Sequence, residues 1–493
     1  MNNKKRIDQL DLANKKVIIR VDFNVPIKDG KITNNKRIVA ALPTINKALE
    51  ANAKVILLSH LGRIKEEADK AKKSLKPVAT ELSKLLGKKV TFVPQPTGPE
   101  VKEAVKNMEP GQIIMLENTR WEDLNGKAES KNNPKLGKFW ASLGDVFIND
   151  AFGTAHRAHA SNVGIASNIK ESAIGYLVDD ELTKITKAIT NPPRPAIAII
   201  GGAKVSDKIK TIEHLIKNVD KVIIGGGMAF TFWKAQGLSI GNSLVEMDQI
   251  ELAKSYLKKY ADKLVLPIDA ALSRKFENTK PIYNNKNSLE IPDGYMGLDI
   301  GPKSIQLFKK MIEGAKTVIW NGPLGVCEFS YYSVGTEEIA KAIGSLSGAY
   351  TIVGGGDSVA AIVSLGLESK FSHISTGGGA CLAMLEGSPL PGVEAIQDVN
   401  ASTNTSSVVE IENSKSSKVE EEKSKSTKVE TENSKSTKVE SKKSKSTTVE
   451  IENSKSTKKD KEDKKDKEAK KDKKVKKDNS SSEEETLFDS SLE

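Results

Sequence analysis

Arginine and histidine recur just after apolar runs in the first 160 residues. Lys16-Val-Ile-Ile-Arg-Val21 is followed by Asp22, Asn24 and Pro26, and Arg37 opens the next helix-like segment. Ala53-Lys-Val-Ile-Leu-Leu58 runs into Ser59-His-Leu-Gly-Arg63, which carries His60 and Arg63. Gly111-Gln-Ile-Ile-Met-Leu116 leads to Arg120, and Asp145-Val-Phe-Ile148 leads to Asp150-Ala-Phe-Gly-Thr-Ala-His-Arg-Ala-His-Ala-Ser161, which contains Arg157. As strands of one parallel sheet these runs send their loops out on one edge, where Arg37, His60, Arg63, Arg120 and Arg157 converge. Guanidinium groups bind phosphate and carboxylate through paired hydrogen bonds, so the cluster suits a small ligand with several negative charges.

The second half carries a different pattern. Ala196–Ile200 runs into Gly201-Gly-Ala-Lys-Val-Ser-Asp-Lys208, Lys221–Ile224 into Gly225-Gly-Gly227, and Tyr350–Val353 into Gly354-Gly-Gly-Asp-Ser358. Glycine lets a backbone approach a ligand closely. The free N–H groups at a following helix start favour phosphate oxygens. Turns of this kind, repeated in one half of a chain, predict a nucleotide site at the carboxyl ends of a parallel sheet. There is no Gly-x-x-x-x-Gly-Lys-Ser/Thr, so Lys204 is not a P-loop lysine.

These loops need two frames to hold them. Strand and helix signals alternate, with helix-like stretches at Ile38–Asn52 and Lys76–Leu86 in the first half. In the second, strand-like runs continue through Lys263–Leu266, Thr317–Trp320 and Tyr350–Val353. The pattern predicts an α/β protein of two lobes built on parallel sheets covered by helices. A helical stretch, Val178–Thr190, ends at Asn191-Pro-Pro-Arg-Pro195, where proline stops the helix. The expected division is a first lobe over 1–175, a joining helix region over 176–193 and a second lobe over 194–385. A short segment covers 386–400, and a tail covers 401–493.

The tail is different in kind. A ten-residue repeat runs through Ser414–Glu420, Ser424–Glu430, Ser434–Glu440 and Ser444–Glu450, followed by the lysine-rich run Lys458–Lys477 and the acidic Glu483–Glu485. One valine per ten residues cannot bury a core, so disorder is expected. The lysine run is a candidate for binding polyanions or an acidic protein such as actin. The tail does not set the charge balance. It holds 23 Lys against 22 Asp and Glu, so ten of the chain's eleven net positive charges lie in the first 400 residues. Two cysteines, Cys327 and Cys381, give no disulfide framework. The first residues lack the apolar core of a signal peptide, and no apolar run reaches the ~20 residues of a membrane span. A cytoplasmic protein is expected.

Arg20–Pro26, Ser59–Arg63, Asp150–Ser161, Gly201–Lys208, Gly297-Leu-Asp-Ile-Gly-Pro302, Trp320-Asn-Gly-Pro-Leu-Gly325, Gly354–Ser358 and Ser375-Thr-Gly-Gly-Gly379 occur in the order found in phosphoglycerate kinases. Residues 1 to 397 resemble that family; the tail does not. The resemblance implies two Rossmann-like lobes joined by a hinge over 176–193, with 386–400 returning to the first lobe, and a monomeric glycolytic phosphotransferase with a carboxyl group as acceptor. It would bind 3-phosphoglycerate or 1,3-bisphosphoglycerate on the first lobe and Mg²⁺ with ADP or ATP on the second. It implies that Asp22, Asn24, Arg37, His60, Arg63, Arg120 and Arg157 hold the glycerate ligand. On the nucleotide side it implies Lys204, Lys208, Gly297, Asn321, Glu328, Gly354, Gly355, Gly356, Asp357 and Ser358, with Asp357 as the magnesium ligand. Arg37, Lys204 and Gly378 would act on the transferred phosphoryl group. Cys381, Ala383 and the Val178-Asp-Asp-Glu181 wording depart from the family's commoner residues. A catalytically dead scaffold, or adhesion through the tail, is the alternative; the intact set Arg37, Lys204 and Asp357 argues against the first.

Overall fold

Val17, Ile18 and Ile19 are all fully buried, as are Val55, Ile56 and Leu57. Neighbours along each strand serve opposite faces. Ile18 and Ile56 join one hydrophobic cluster, while Val17, Ile19, Val55 and Leu57 join another. Strands covered on both faces belong to parallel sheets flanked by helices. The computed structural model, which describes residues 3–284 and 288–399, contains two such sheets of six strands each.

The first sheet runs in the order Val90–Val93, Ile113–Leu116, Lys54–Leu58, Lys16–Val21, Val146–Asp150, Glu171–Ile174, parallel throughout. The second runs Leu264–Val265, Lys221–Ile224, Ala196–Ile200, Thr317–Asn321, Tyr350–Gly354, His373–Ile374, also all parallel. In each, the strand that comes first in sequence sits inside the sheet, and later strands are laid down on both sides of it. The connections therefore diverge beyond its carboxyl end and leave a crevice there. Lys16–Val21 and Ala196–Ile200 are those two strands, and both end in residues of the expected sites.

The Tyr176–Ile189 helix joins the two sheets. Its Val178, Leu182, Ile185 and Ala188 form one buried stripe at helical spacing. They belong to the same cluster as Ile18 of the first sheet and Ala198 of the second, so apolar packing is continuous from one sheet to the other. The last described residues return to the first sheet. The Asn149 amide donates to Gly392 O at 2.7 Å, Gln397 N donates to Ser172 Oγ at 3.2 Å, and Lys5 N donates to Gln397 O at 2.8 Å.

Two features differ from the sequence reading. Lys263–Leu266 is a strand only at Leu264–Val265. A small antiparallel sheet, in the order Ile282–Tyr283, Ala270–Ser273, Met296–Ile300, was not anticipated. Ala270–Ser273 is mostly small residues, Ile282–Tyr283 has only two residues, and Gly297 and Asp299 interrupt Met296–Ile300, so none shows the apolar run that marks the parallel strands. The tail repeats, the lysine run and the acidic end all lie outside the described residues. No helix among the described residues is long and apolar enough to cross a membrane.

Candidate active site

The loops leaving the first sheet are tied to one another before any ligand arrives. Phe23 N donates to Ser59 Oγ at 2.9 Å and Gly62 N donates to Asn24 Oδ1 at 2.9 Å, which locks the Arg20–Pro26 loop to the Ser59–Arg63 loop. Arg37 Nη1 donates to the buried Asp22 Oδ2 at 2.7 Å. Gly153 faces the same carboxylate, and a Cβ there would lie 2.3 Å from Asp22 Oδ2. Arg120 Nη1 donates to Asp123 at 3.0 Å and to Ser130 at 2.6 Å, while its buried Nε has no partner among the described residues.

The charges are crowded. Burial, together with Arg20, Arg120, Arg37 and Arg157, holds the His60 imidazole well below its ordinary pKa, so it is neutral at pH 7. His159 is pushed down to about 3 by burial and by Arg120 and Arg20. Burial lowers the Arg157 pKa, and repulsion from Arg120 and the exposed Arg63 adds to the effect. Groups that mutually oppose one another's positive charge mark a place where a multiply charged anion is favoured.

Beneath the cluster lies a layer that was not anticipated. Arg20, fully buried within its strand, donates from Nε to Ser161 Oγ at 2.9 Å. Ser161 N donates to Glu129 Oε2 at 2.9 Å, and its hydroxyl donates to Glu129 Oε1. Burial raises the Glu129 pKa and Arg20 acts against that rise. The signal was available: an arginine inside an apolar strand needs a buried partner.

On the second sheet the glycine turns pack first on one another. A Cβ at Gly201 would lie 2.0 Å from Pro323 O, and one at Gly226, where φ is +68°, would lie 2.5 Å from Gly202 O. A Cβ at Gly297 would strike the Phe230 ring at 2.1 Å, and one at Gly354 would strike Cys381 Sγ at 2.5 Å. Gly356 and Gly378, by contrast, have nothing within 4 Å of a Cβ position, and both open helices. Gly355 has a φ of +97° and lies just before the first of these. Lys208 Nζ donates to Asn321 Oδ1 at 2.6 Å, and burial lowers its pKa. Lys204, Glu328 and Asp357 are exposed, whereas Ser358 is fully buried and its hydroxyl has no partner among the described residues. Among the described residues, no hydrogen bond or ion pair joins Lys204 to the arginine cluster.

The two halves meet at residues 376–379. Arg37 Nη2 donates to Thr376 O at 3.1 Å. A Cβ at Gly377 would strike the Phe152 ring at 2.3 Å, and one at Gly379 would strike His156 at 2.7 Å. From the joining helix, the fully buried Glu181 accepts from Thr376 N at 2.6 Å, from Thr376 Oγ1 at 2.7 Å and pairs with His373 Nε2 at 2.7 Å. Glu181, His373 and Thr376 were missed. A carboxylate one position before Leu182 on the helix's apolar stripe was the available clue.

A basic site and a glycine-lined site thus adjoin one another. The profile of the family described as phosphoglycerate kinase matches residues 7–388. The chain belongs to the phosphoglycerate kinase family. The phosphoglycerate kinase of Listeria innocua is 60% identical over 395 residues, 80% of this chain and 99% of the relative. That of Enterococcus faecalis is 59% identical over the same shares. Among solved structures, phosphoglycerate kinase from Coxiella burnetii matches with a TM-score of 0.71 and 42% identity, covering 80% of this chain and 98% of that one. The enzyme from Pyrococcus horikoshii matches at 0.68 and 31%, covering 79% and 98%. The family match contains both sites and ends before the tail.

Proposed function

We propose that this chain reversibly transfers a phosphoryl group from 1,3-bisphosphoglycerate to ADP, giving 3-phosphoglycerate and ATP. The observation that carries the reading is the Arg37–Thr376 contact, which brings the anion-binding cluster against the glycine turn of the other half. Asp22, Asn24, His60, Arg63, Arg120 and Arg157 hold the glycerate ligand. Lys204, Lys208, Gly297, Asn321, Glu328 and the Gly354–Ser358 turn hold the nucleotide.

The chemistry asks for positioning and charge neutralisation. The carboxylate that leaves is already a stable anion, so no general base is needed, and a neutral His60 fits that requirement. Arg37, Lys204 and the open N–H side of Gly378 stabilise the phosphoryl group in transit. Asp357 is an exposed carboxylate at a helix start, and Lys208 feels its charge. One carboxylate combined with nucleotide phosphates and waters is a donor set that suits Mg²⁺. Bound there, the ion would neutralise phosphate charge.

We read the enzyme as a cytoplasmic monomer, with the tail dispensable for turnover. A coupled ATP-formation assay on the full chain and on the chain cut after residue 400 tests this. Absence of Mg²⁺-dependent ATP formation by folded protein would sink the reading.

A further inference from the structure

Three groups beneath the glycerate site, with His60 within it, form a chain with one direction. Glu129 accepts at both oxygens from Ser161, one bond from the backbone N–H and one from the hydroxyl. The hydroxyl has a single proton and gives it to Glu129, so its lone pairs face Arg20 Nε at 2.9 Å. Arg20 is held further by a bond from Nη1 to Val21 O, which fixes the plane of the guanidinium. Its Nη2 then lies 3.2 Å from His60 Nδ1. Arginine has donors only, so Nδ1 must accept, and the one proton of the neutral ring sits on Nε2.

We propose that Glu129, Ser161 and Arg20 are positioning residues that hold His60 as its Nε2–H tautomer, so that Nε2 donates to the anionic ligand. The proposal rests on the glycerate site described above. A competing influence is present: Asp22 Oδ1 lies 3.7 Å from the same His60 Nδ1 and would favour the opposite tautomer. Asp22 is engaged by Arg37 through its other oxygen, and 3.7 Å is beyond hydrogen-bond reach. Protonating both nitrogens is opposed by burial and by Arg20, Arg120, Arg37 and Arg157, so the tautomer is the variable left to set. Without the relay, His60 would offer the ligand an acceptor where a donor is needed.

Nitrogen-15 NMR of histidine-labelled full-length protein reads the tautomer directly. There are five histidines, and His60→Gln assigns the signal. The wild-type ring is expected to be neutral with Nε2 protonated, in the absence of any substrate. In Ser161→Ala the signal should move to a mixture of tautomers. The KM for 3-phosphoglycerate should then rise about tenfold, the weight of one hydrogen bond to a charged group, while the KM for ATP stays within about twofold. Ser161→Thr, which keeps the hydroxyl, should restore both readouts. A wild-type ring protonated at Nδ1 would overturn the proposal whether or not any variant folds. So would an Ser161→Ala protein with unchanged tautomer and KM. The tautomer is read without turnover, so a wild-type protein lacking activity would sink the kinase reading and leave this one to its spectrum.

Discussion

Arg37 and Thr376 are 339 positions apart in the chain and joined by one hydrogen bond of 3.1 Å. The carbonyl of Thr376 accepts from Arg37, while its N–H and hydroxyl donate to Glu181. One residue therefore links the anion cluster, the joining helix and the glycine turn. Arg37 also pairs with Asp22, so its head group stands between the proposed substrates.

Arg37→Ala should lower kcat about 10²–10³-fold, the usual loss when one preorganised charge-stabilising donor is removed. The KM for ATP should change little, because Arg37 belongs to the other half. Steady-state kinetics with either substrate varied checks this, and near-normal kcat would refute the role.

Glu181→Ala should destabilise the protein. It leaves Thr376 N–H and His373 without their buried acceptor, and each such loss costs about 1–3 kcal/mol. Urea unfolding should show a lowered midpoint. Glu181→Gln, which keeps one acceptor oxygen, should fall between the two.

Asp357→Ala should raise the Mg²⁺ concentration needed for half-maximal rate and weaken Mg-nucleotide binding, with the KM for 3-phosphoglycerate unaffected. Titrating Mg²⁺ at fixed nucleotide measures it. An unchanged requirement would leave Asp357 as a helix-start carboxylate favoured by the dipole.

Stability should fall as the pH rises from about 4 to 8, over and above other effects. Burial pushes the Asp299 carboxyl up to about 8 and the Asp150 carboxyl up to about 7. A folded-state pKa above the unfolded value means that the native state holds the extra proton. That stabilisation is complete below the unfolded pKa and is lost through the folded one. Melting temperatures across this range should be flatter in Asp299→Asn; an equally steep curve would count against the assignment.

The parallel strands were legible because burial on both faces forces continuous apolar runs, as in Lys16–Val21 and Ala196–Ile200. The loops proposed as sites stood out because they follow those runs directly. For Arg20 and Glu181 the local pattern shows only that a buried partner is needed; which partner it is, and the role of Glu129, depend on residues far away in sequence. The antiparallel strand Ala270–Ser273 was missed for another reason: its small residues pack well without producing a hydrophobic signal.

Cutting after residue 400 should leave turnover within about twofold, well under 1 kcal/mol of barrier. If the tail binds polyanions, the full chain should be retained on heparin in a salt-sensitive way and the shortened one much less. A large loss of turnover on cutting would overturn this.

The contact between Gln397 and Ser172 also sets an order of events on the ribosome. Ser172 is made 225 residues before its partner, an interval on the order of ten to forty-five seconds at ordinary rates of synthesis. Through that interval the first sheet exists with its last hydrogen bonds unmade, and so does Asn149, which awaits Gly392. A nascent chain interrupted anywhere in the second half is therefore an incomplete first half as well, its apolar surface uncovered where Leu390, Val393 and Ile396 would pack, which is what a chaperone recognises.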